Sequence, residues 1–157
     1  MQQIQQIFDT ADLLFSLEEI DHALNQLAQT LTEHYADSNP LFLCVMNGSV
    51  ITTGNLLPKL CFPLELDYIH VTRYGDKLIG GELDWLHQPA TVLKGRTVIL
   101  IEDIFDEGVT VNALRKYCIE QEVTSVSCLT LIEKLHDNKL AEQPEFIGLT
   151  VPNRYVF

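Results

Sequence analysis

Between residues 16 and 36 the apolar positions recur every three or four residues. Ile20, Ala23, Leu24, Leu27, Ala28, Leu31 and Tyr35 form one stripe, the spacing of a helix that buries a single face. Ser16, followed three residues later by Glu19, forms a capping box at its start, and Asp37-Ser38-Asn39-Pro40 stops it. The pattern then changes. Leu41 to Val45 is a continuous apolar run, suited to a strand covered on both faces. Met46 to Ser49 reads as a loop and Val50 to Leu60 as a helix, with Pro58 limiting its last turn. Phe62 to Thr72 reads as a strand with Leu64, Leu66, Tyr68 and His70 on one face. Arg73 to Ala90 is polar, carries Gly75, Gly80 and Gly81, and ends near Pro89. It is long for a connection, and long connections are often lids or binding loops. Thr97 to Ile101 is the strongest strand, Glu102 to Val109 an acidic turn, and Thr110 to Glu122 a helix. Val126 to Ile132 and Phe146 to Thr150 complete the strands. This alternation predicts an α/β fold, a parallel sheet with helices on both faces.

Composition adds limits rather than a function. The chain has 157 residues, of which 46% are hydrophobic. That suffices for one domain spanning 1–157, with a core that needs no disulfide or metal staple. Twenty-two acidic residues against ten basic ones give a net charge of −12. An excess of acid opposes a nucleic-acid or anionic-membrane partner, which needs a cationic footprint. It leaves room for a small anionic substrate held by local groups. Cys44, Cys61, Cys118 and Cys128 are far apart, as expected of buried free thiols in a reducing compartment. The five histidines lack ligand spacing for zinc. No secretory start and no run of 18 apolar residues is present, so a cytoplasmic protein is expected.

The acidic turn carries the chemistry. In Thr97-Val-Ile-Leu-Ile-Glu-Asp-Ile-Phe-Asp-Glu-Gly-Val-Thr110, a buried strand delivers carboxylates to the carboxyl edge of a sheet, where ligands of open α/β folds bind. Gly108 permits a tight turn, and Thr110 lies where a helix begins, among amides able to hold a phosphate. Carboxylates for hydroxyls or a cation, beside amides for a phosphate, suit a ribose 5-phosphate. The plainer reading is an acidic loop in which Asp106 or Thr110 caps a helix. Neither the Walker nor the dinucleotide glycine pattern is present.

The same turn resembles the phosphoribosyl pyrophosphate motif of type I phosphoribosyltransferases. Further segments are similar to the hypoxanthine-guanine branch of that family: Leu14 to Ile20 resembles its first helix, Phe42 to Ser49 its pyrophosphate loop, and Arg73-Tyr74-Gly75 the base of its mobile lid, spanning about 74–84. Leu131 to Lys134 and Val151 to Val156 resemble its purine-binding segments. The resemblance implies a type I phosphoribosyltransferase fold and purine salvage, forming IMP or GMP and pyrophosphate from hypoxanthine or guanine and 5-phosphoribosyl 1-pyrophosphate. It implies that Glu102 and Asp103 hold the ribose hydroxyls and Mg²⁺, and that Asp106 shuttles the N7 proton. Asp106, Glu107, Gly108, Val109 and Thr110 would cradle the 5-phosphate. Asn47, Gly48, Ser49 and Arg73 would receive the pyrophosphate, with the Met46–Asn47 peptide cis. Ile104, Lys134, Tyr155 and Val156 would bind the purine, Lys134 donating to the 6-oxo group. A homodimer or homotetramer is also implied.

Three features depart from the commonest pattern of that family. Glu107 stands where Thr is frequent, and Asn47 where Lys is frequent, with Arg73 able to restore the charge. The chain also stops at Phe157, where relatives continue with a glycine-rich turn and an acidic metal ligand, so a shortened record or an incomplete purine pocket is expected. Taken singly, Lys134 would be a surface lysine, Tyr155 an edge residue and Trp85 a packing anchor. His22, His34 and His136 read as surface residues, and His70 and His87 carry no assigned role. A competing function is a regulatory nucleotide sensor on the same fold, which would have no use for Asp106 or Lys134 in catalysis. A preference for xanthine or adenine is a third reading, and a donor at Lys134 disfavours adenine.

Overall fold

The computed structural model describes residues 11–73 and 83–156. Helix α1 is Leu17–Tyr35, and its start is the capping box: the Glu19 amide donates to the Ser16 hydroxyl, and the Ser16 amide to the Glu19 carboxylate. Strand β1 is Leu41–Met46, followed by the short helix α2, Val50–Leu56, and a 3₁₀ turn, Leu57–Lys59. The expected helix to Leu60 therefore tightens at Pro58, which lacks an amide for the α pattern. Strands β2 (Glu65–Arg73) and β3 (Leu83–His87) precede the long β4, Thr97–Phe105. Helix α3 (Val109–Glu120), β5 (Ser125–Leu135) and β6 (Phe146–Pro152) complete the order.

The six strands form one sheet in the order β3-β2-β1-β4-β5-β6. Every neighbouring pair is parallel except β2 with β3. The expectation of a parallel sheet thus needs one correction, an antiparallel edge strand inside the stretch read as a loop. A register shift between His70 and Val71 places Val71 opposite Trp85 and His70 opposite His87. Trp85 and His87, two residues apart, consequently serve opposite faces. Trp85 packs on Tyr117 of α3, with ring centroids 4.5 Å apart, whereas His87 stacks on Tyr68 at 4.0 Å.

Helices cover both faces, as the alternation predicts. On one side Val111, Leu114 and Cys118 of α3 pack with Leu41, Leu43, Val98 and Leu100. On the other, Leu24, Leu27 and Leu31 of α1 join Leu56, Phe42, Ile99 and Ile101. β4 lies between β1 and β5, and its residues Val98 to Ile101 are fully buried. On β2 the buried side chains are Ile69 and Val71, while Leu66 and Tyr68, on the face picked out by the apolar alternation, are half exposed. No helix among the described residues is long and apolar enough to cross a membrane.

The cysteines divide. Cys44, Cys118 and Cys128 are buried, but Cys61 is exposed, contrary to expectation, because it follows the 3₁₀ turn at the surface. Burial pushes the Cys118 thiol up to about 12 and raises that of Cys128 as well. Since the thiolate is the nucleophile, iodoacetamide added to the native protein at neutral pH should alkylate Cys61 alone. Peptide mass spectrometry of the quenched reaction checks this, and rapid labelling of Cys118 or Cys128 would contradict it.

Candidate active site

The candidate site lies at the carboxyl ends of β1, β4 and β5. β4 does not end at Ile101, as its apolar run suggested, but continues through Glu102, Asp103 and Ile104 to Phe105. Pairing with β5 to Phe105↔Glu133 sustains it, so the carboxylates stand on a strand rather than in a loose turn. Phe105 goes into the core at 1% exposure, while the Asp103 carboxylate comes up against Gly48 in the loop after β1. A Cβ at Gly48 would meet the Asp103 carboxylate, 2.8 Å from its Cγ. The Asp103 Oδ1 also accepts the Ile104 amide at 2.8 Å, and the Thr130 hydroxyl donates to the Asp103 carbonyl at 3.2 Å.

The loop after β1 carries Asn47 and Gly48 at the surface, and the Met46–Asn47 peptide is cis. Ser49 is different. Its hydroxyl is buried and donates to the Val45 carbonyl at 2.5 Å, fastening the start of α2. Arg73 ends β2, and the lid expected at about 74–84 lies outside the described residues except for Leu83 and Asp84 in β3.

Gly108, not Asp106 or Thr110, is the residue before α3, with φ at +81° in the left-handed region. The helix begins at Val109, one residue earlier than expected. A cavity of about 230 Å³ opens over this turn, bounded by Glu102, Asp103, Asp106, Gly108 and Thr110. A second, of about 660 Å³, is lined by Ile104, Leu131, Val151, Tyr155 and Val156. The two share Gly48, Asp103 and Ile104. One compartment is thus rich in carboxylates and helix-start amides, and the adjoining one is mostly apolar.

Asp106 is held by two cations or donors at once. Lys134 Nζ donates to its Oδ2 at 2.6 Å, and His136 Nε2 lies 2.8 Å from its Oδ1. Burial works to raise the Asp106 pKa, but the hydrogen bonds and charges of Lys134 and His136 outweigh it, leaving the carboxyl below its ordinary value. His136 is therefore no surface residue: its side chain is 7% exposed. His136 directly follows the last residue of β5, and no spacing in that segment announces its approach to Asp106. Lys139 was missed too. Its ammonium donates to the Asp106 carbonyl at 2.8 Å and sits 4.4 Å over the Phe105 ring. The Leu140 amide donates to the Glu107 carbonyl at 2.8 Å. The segment between β5 and β6 thus straps the turn from behind, and Glu133, buried at 3%, accepts from Gln143 there.

Among the described residues, no cluster of three or more His, Cys, Asp or Glu side chains could form a dedicated metal cage. Glu102 and Asp103 instead offer hard carboxylate oxygens at the edge of the polar cavity. Mg²⁺ is characteristically bound through one or two carboxylates plus substrate phosphates, so the donor set fits that ion.

Comparison with known proteins covers almost the whole chain. Residues 14–156 match the model of the phosphoribosyl transferase domain. A hypoxanthine-guanine phosphoribosyltransferase of Streptococcus thermophilus (strain CNRZ 1066) is 34% identical, over 94% of this chain and 83% of the relative. A hypoxanthine-guanine-xanthine phosphoribosyltransferase of Tritrichomonas foetus is likewise 34% identical, over 94% and 81%. A solved hypoxanthine-guanine-xanthine phosphoribosyltransferase aligns with a TM-score of 0.82 at 32% identity, covering 92% of this chain and 83% of that one. A hypoxanthine-guanine phosphoribosyltransferase of Bacillus anthracis aligns at 0.87 and 23% identity, covering 92% and 86%, a likeness of fold.

Proposed function

The chain belongs to the phosphoribosyl transferase family, and from that premise we propose that it is a purine-salvage enzyme joining hypoxanthine or guanine to 5-phosphoribosyl 1-pyrophosphate, with IMP or GMP and pyrophosphate as products. The observation that carries the choice of base is the Lys134–Asp106 pair, 2.6 Å apart beside the joined cavities. A 6-oxopurine presents an acceptor at O6 and an N7–H donor on adjacent positions. Lys134 and Asp106 present the complementary donor and acceptor. Here the two satisfy each other, and the incoming base takes the place of that contact. Adenine offers a donor where Lys134 needs an acceptor, so it is rejected.

In this reading the polar cavity takes the sugar. Amides from Glu107 to Thr110, with the Thr110 hydroxyl, receive the 5-phosphate at the start of α3. Glu102 and Asp103 orient the ribose hydroxyls and hold Mg²⁺, which, when bound, offsets the charge of the leaving pyrophosphate. Asn47 and Gly48 receive that pyrophosphate, with Ser49 shaping the loop through its bond to Val45 and Arg73 supplying positive charge. Ile104, Tyr155 and Val156 line the apolar side, where the purine ring stacks. As the C1–oxygen bond breaks, positive charge develops on the ribose and the purine nitrogen attacks the opposite face. Asp106 accepts the N7 proton in the same period. The stretch around 74–84 would exclude water from the reactive sugar. Four free cysteines accord with a reducing, cytoplasmic setting, and a single domain over 1–157 assembled as a homodimer or homotetramer is part of the same reading. Retention of both Asp106 and Lys134 favours an enzyme over a nucleotide sensor.

A panel of hypoxanthine, guanine, xanthine and adenine, run with Mg²⁺ and with excess EDTA, tests the proposal. Turnover of hypoxanthine or guanine, lost with EDTA, is expected. Lys134→Ala should reduce 6-oxopurine turnover and narrow the preference over adenine by about tenfold or more, the worth of one charged hydrogen bond. Absence of turnover with every base overturns the enzyme reading, and an unchanged preference in the variant displaces Lys134 from the 6-oxo contact.

A further inference from the structure

Asp106 faces Lys134 on one oxygen and His136 on the other, and the two partners differ in what they can do when a purine arrives. Lys134 has a flexible stem, and under the proposed function it turns to the 6-oxo group. His136 is pinned. The Asn138 amide points at its Nδ1 at 3.1 Å, and an amide only donates, so Nδ1 is the acceptor and the ring proton lies on Nε2. That proton points at Asp106 Oδ1, 2.8 Å away. The imidazole is nearly enclosed, its side chain 7% exposed, and the loop bearing it is tied to the same turn by Lys139 and Leu140.

We propose that His136 is a positioning residue for the Asp106 base: its Nε2–H holds one carboxylate oxygen permanently, so that the other is aimed at the purine N7 proton once Lys134 leaves. This rests on Asp106 being the base of the proposed reaction. His136 itself touches no substrate. Its effect is orientational, since a carboxylate held by Lys134 alone turns freely when that contact is exchanged for substrate. Buried donors that orient a reacting group through a fixed tautomer commonly change rates by about 10- to 100-fold.

The test compares the full-length wild type with His136→Leu and His136→Gln in IMP formation. Leucine fills the space without a donor, whereas glutamine places an amide N–H near the former Nε2. The Leu variant should lose about tenfold or more in kcat while the KM for 5-phosphoribosyl 1-pyrophosphate stays within about twofold, and Gln should recover most of the loss. Wild-type kcat in the Leu variant overturns the proposal, as does an equal loss in both variants at matched thermal stability. Should the Leu variant fail to fold, ¹⁵N NMR of the wild-type imidazole decides instead. An Nε2–H tautomer supports the proposal and an Nδ1–H tautomer overturns it. Wild-type protein inactive with every purine condemns the enzyme reading, whereas active wild type with indifferent variants condemns only the role of His136.

Discussion

Asp106→Asn should lower kcat for IMP formation by about 10²- to 10⁴-fold, the range a general base contributes, with small changes in KM. The amide keeps the size and part of the hydrogen bonding of the carboxylate, so binding survives. What it lacks is a basic oxygen for the N7 proton. The fold should survive as well, because the Asp106 side chain is 46% exposed and exposed ion pairs contribute only about 0–1 kcal/mol. Steady-state kinetics beside a thermal melt separates the two effects, and a fall in kcat of less than about threefold would remove Asp106 from the base role. The pH behaviour has a definite sign. Burial alone would raise the carboxyl pKa, but Lys134 and His136 bring it below 3.8. A group with a lowered pKa stays ionised as pH falls, so in the free enzyme, where Lys134 still holds it, Asp106 imposes no acid limb on kcat/KM from neutrality down to about pH 5.

The second large effect falls on stability. Gly108→Ala should lower folding stability by about 2–5 kcal/mol, combining left-handed backbone strain with overpacking. At φ of +81° a side chain is strained whatever space surrounds it. Here there is also no space, since a Cβ would stand 2.6 Å from the Phe105 ring and 2.7 Å from Ala141 Cβ. Phe105 cannot yield, being buried at 1% with the Lys139 ammonium over its outer face. Relief must come from the turn itself, which shifts the Val109 and Thr110 amides and should raise the KM for 5-phosphoribosyl 1-pyrophosphate. The melting temperature should fall by roughly 5–15 °C. A melt within about 2 °C of wild type would show that the turn is looser than its geometry indicates.

These two residues also mark where sequence reasoning succeeds and where it stops. Helix α1 was legible to its cap, because Ser16, Glu19 and the apolar stripe are all local signals. Asp106 and Gly108 were legible because one short stretch holds both and because the family resemblance spans the chain. The end of β4 was not, since Glu102 and Asp103 break its apolar run, and only pairing with β5 carries it on to Phe105. Strand β3 was hidden by its shortness and by the polar stretch before it. Its bulge also spoils the alternation that would have betrayed it, by sending Trp85 and His87 to opposite faces. His136 and Lys139 were missed for a different reason. Their partners lie about thirty residues away, and nothing in the spacing of either segment records that approach.

The place of β4 in the sheet has a consequence for how the molecule comes apart. Val98 to Ile101 are fully buried between β1 and β5, with helices above and below. Amides of such a strand open only with the global unfolding of the protein, whereas edge strands open more cheaply. Glu102 and Asp103 ride on the former. Tyr155 and Val156 follow β6, the strand at one edge. Local opening therefore dissolves the apolar compartment first and leaves the acidic one standing. Under the proposed function, a destabilised form of this chain would keep its hold on the sugar phosphate after losing its grip on the base.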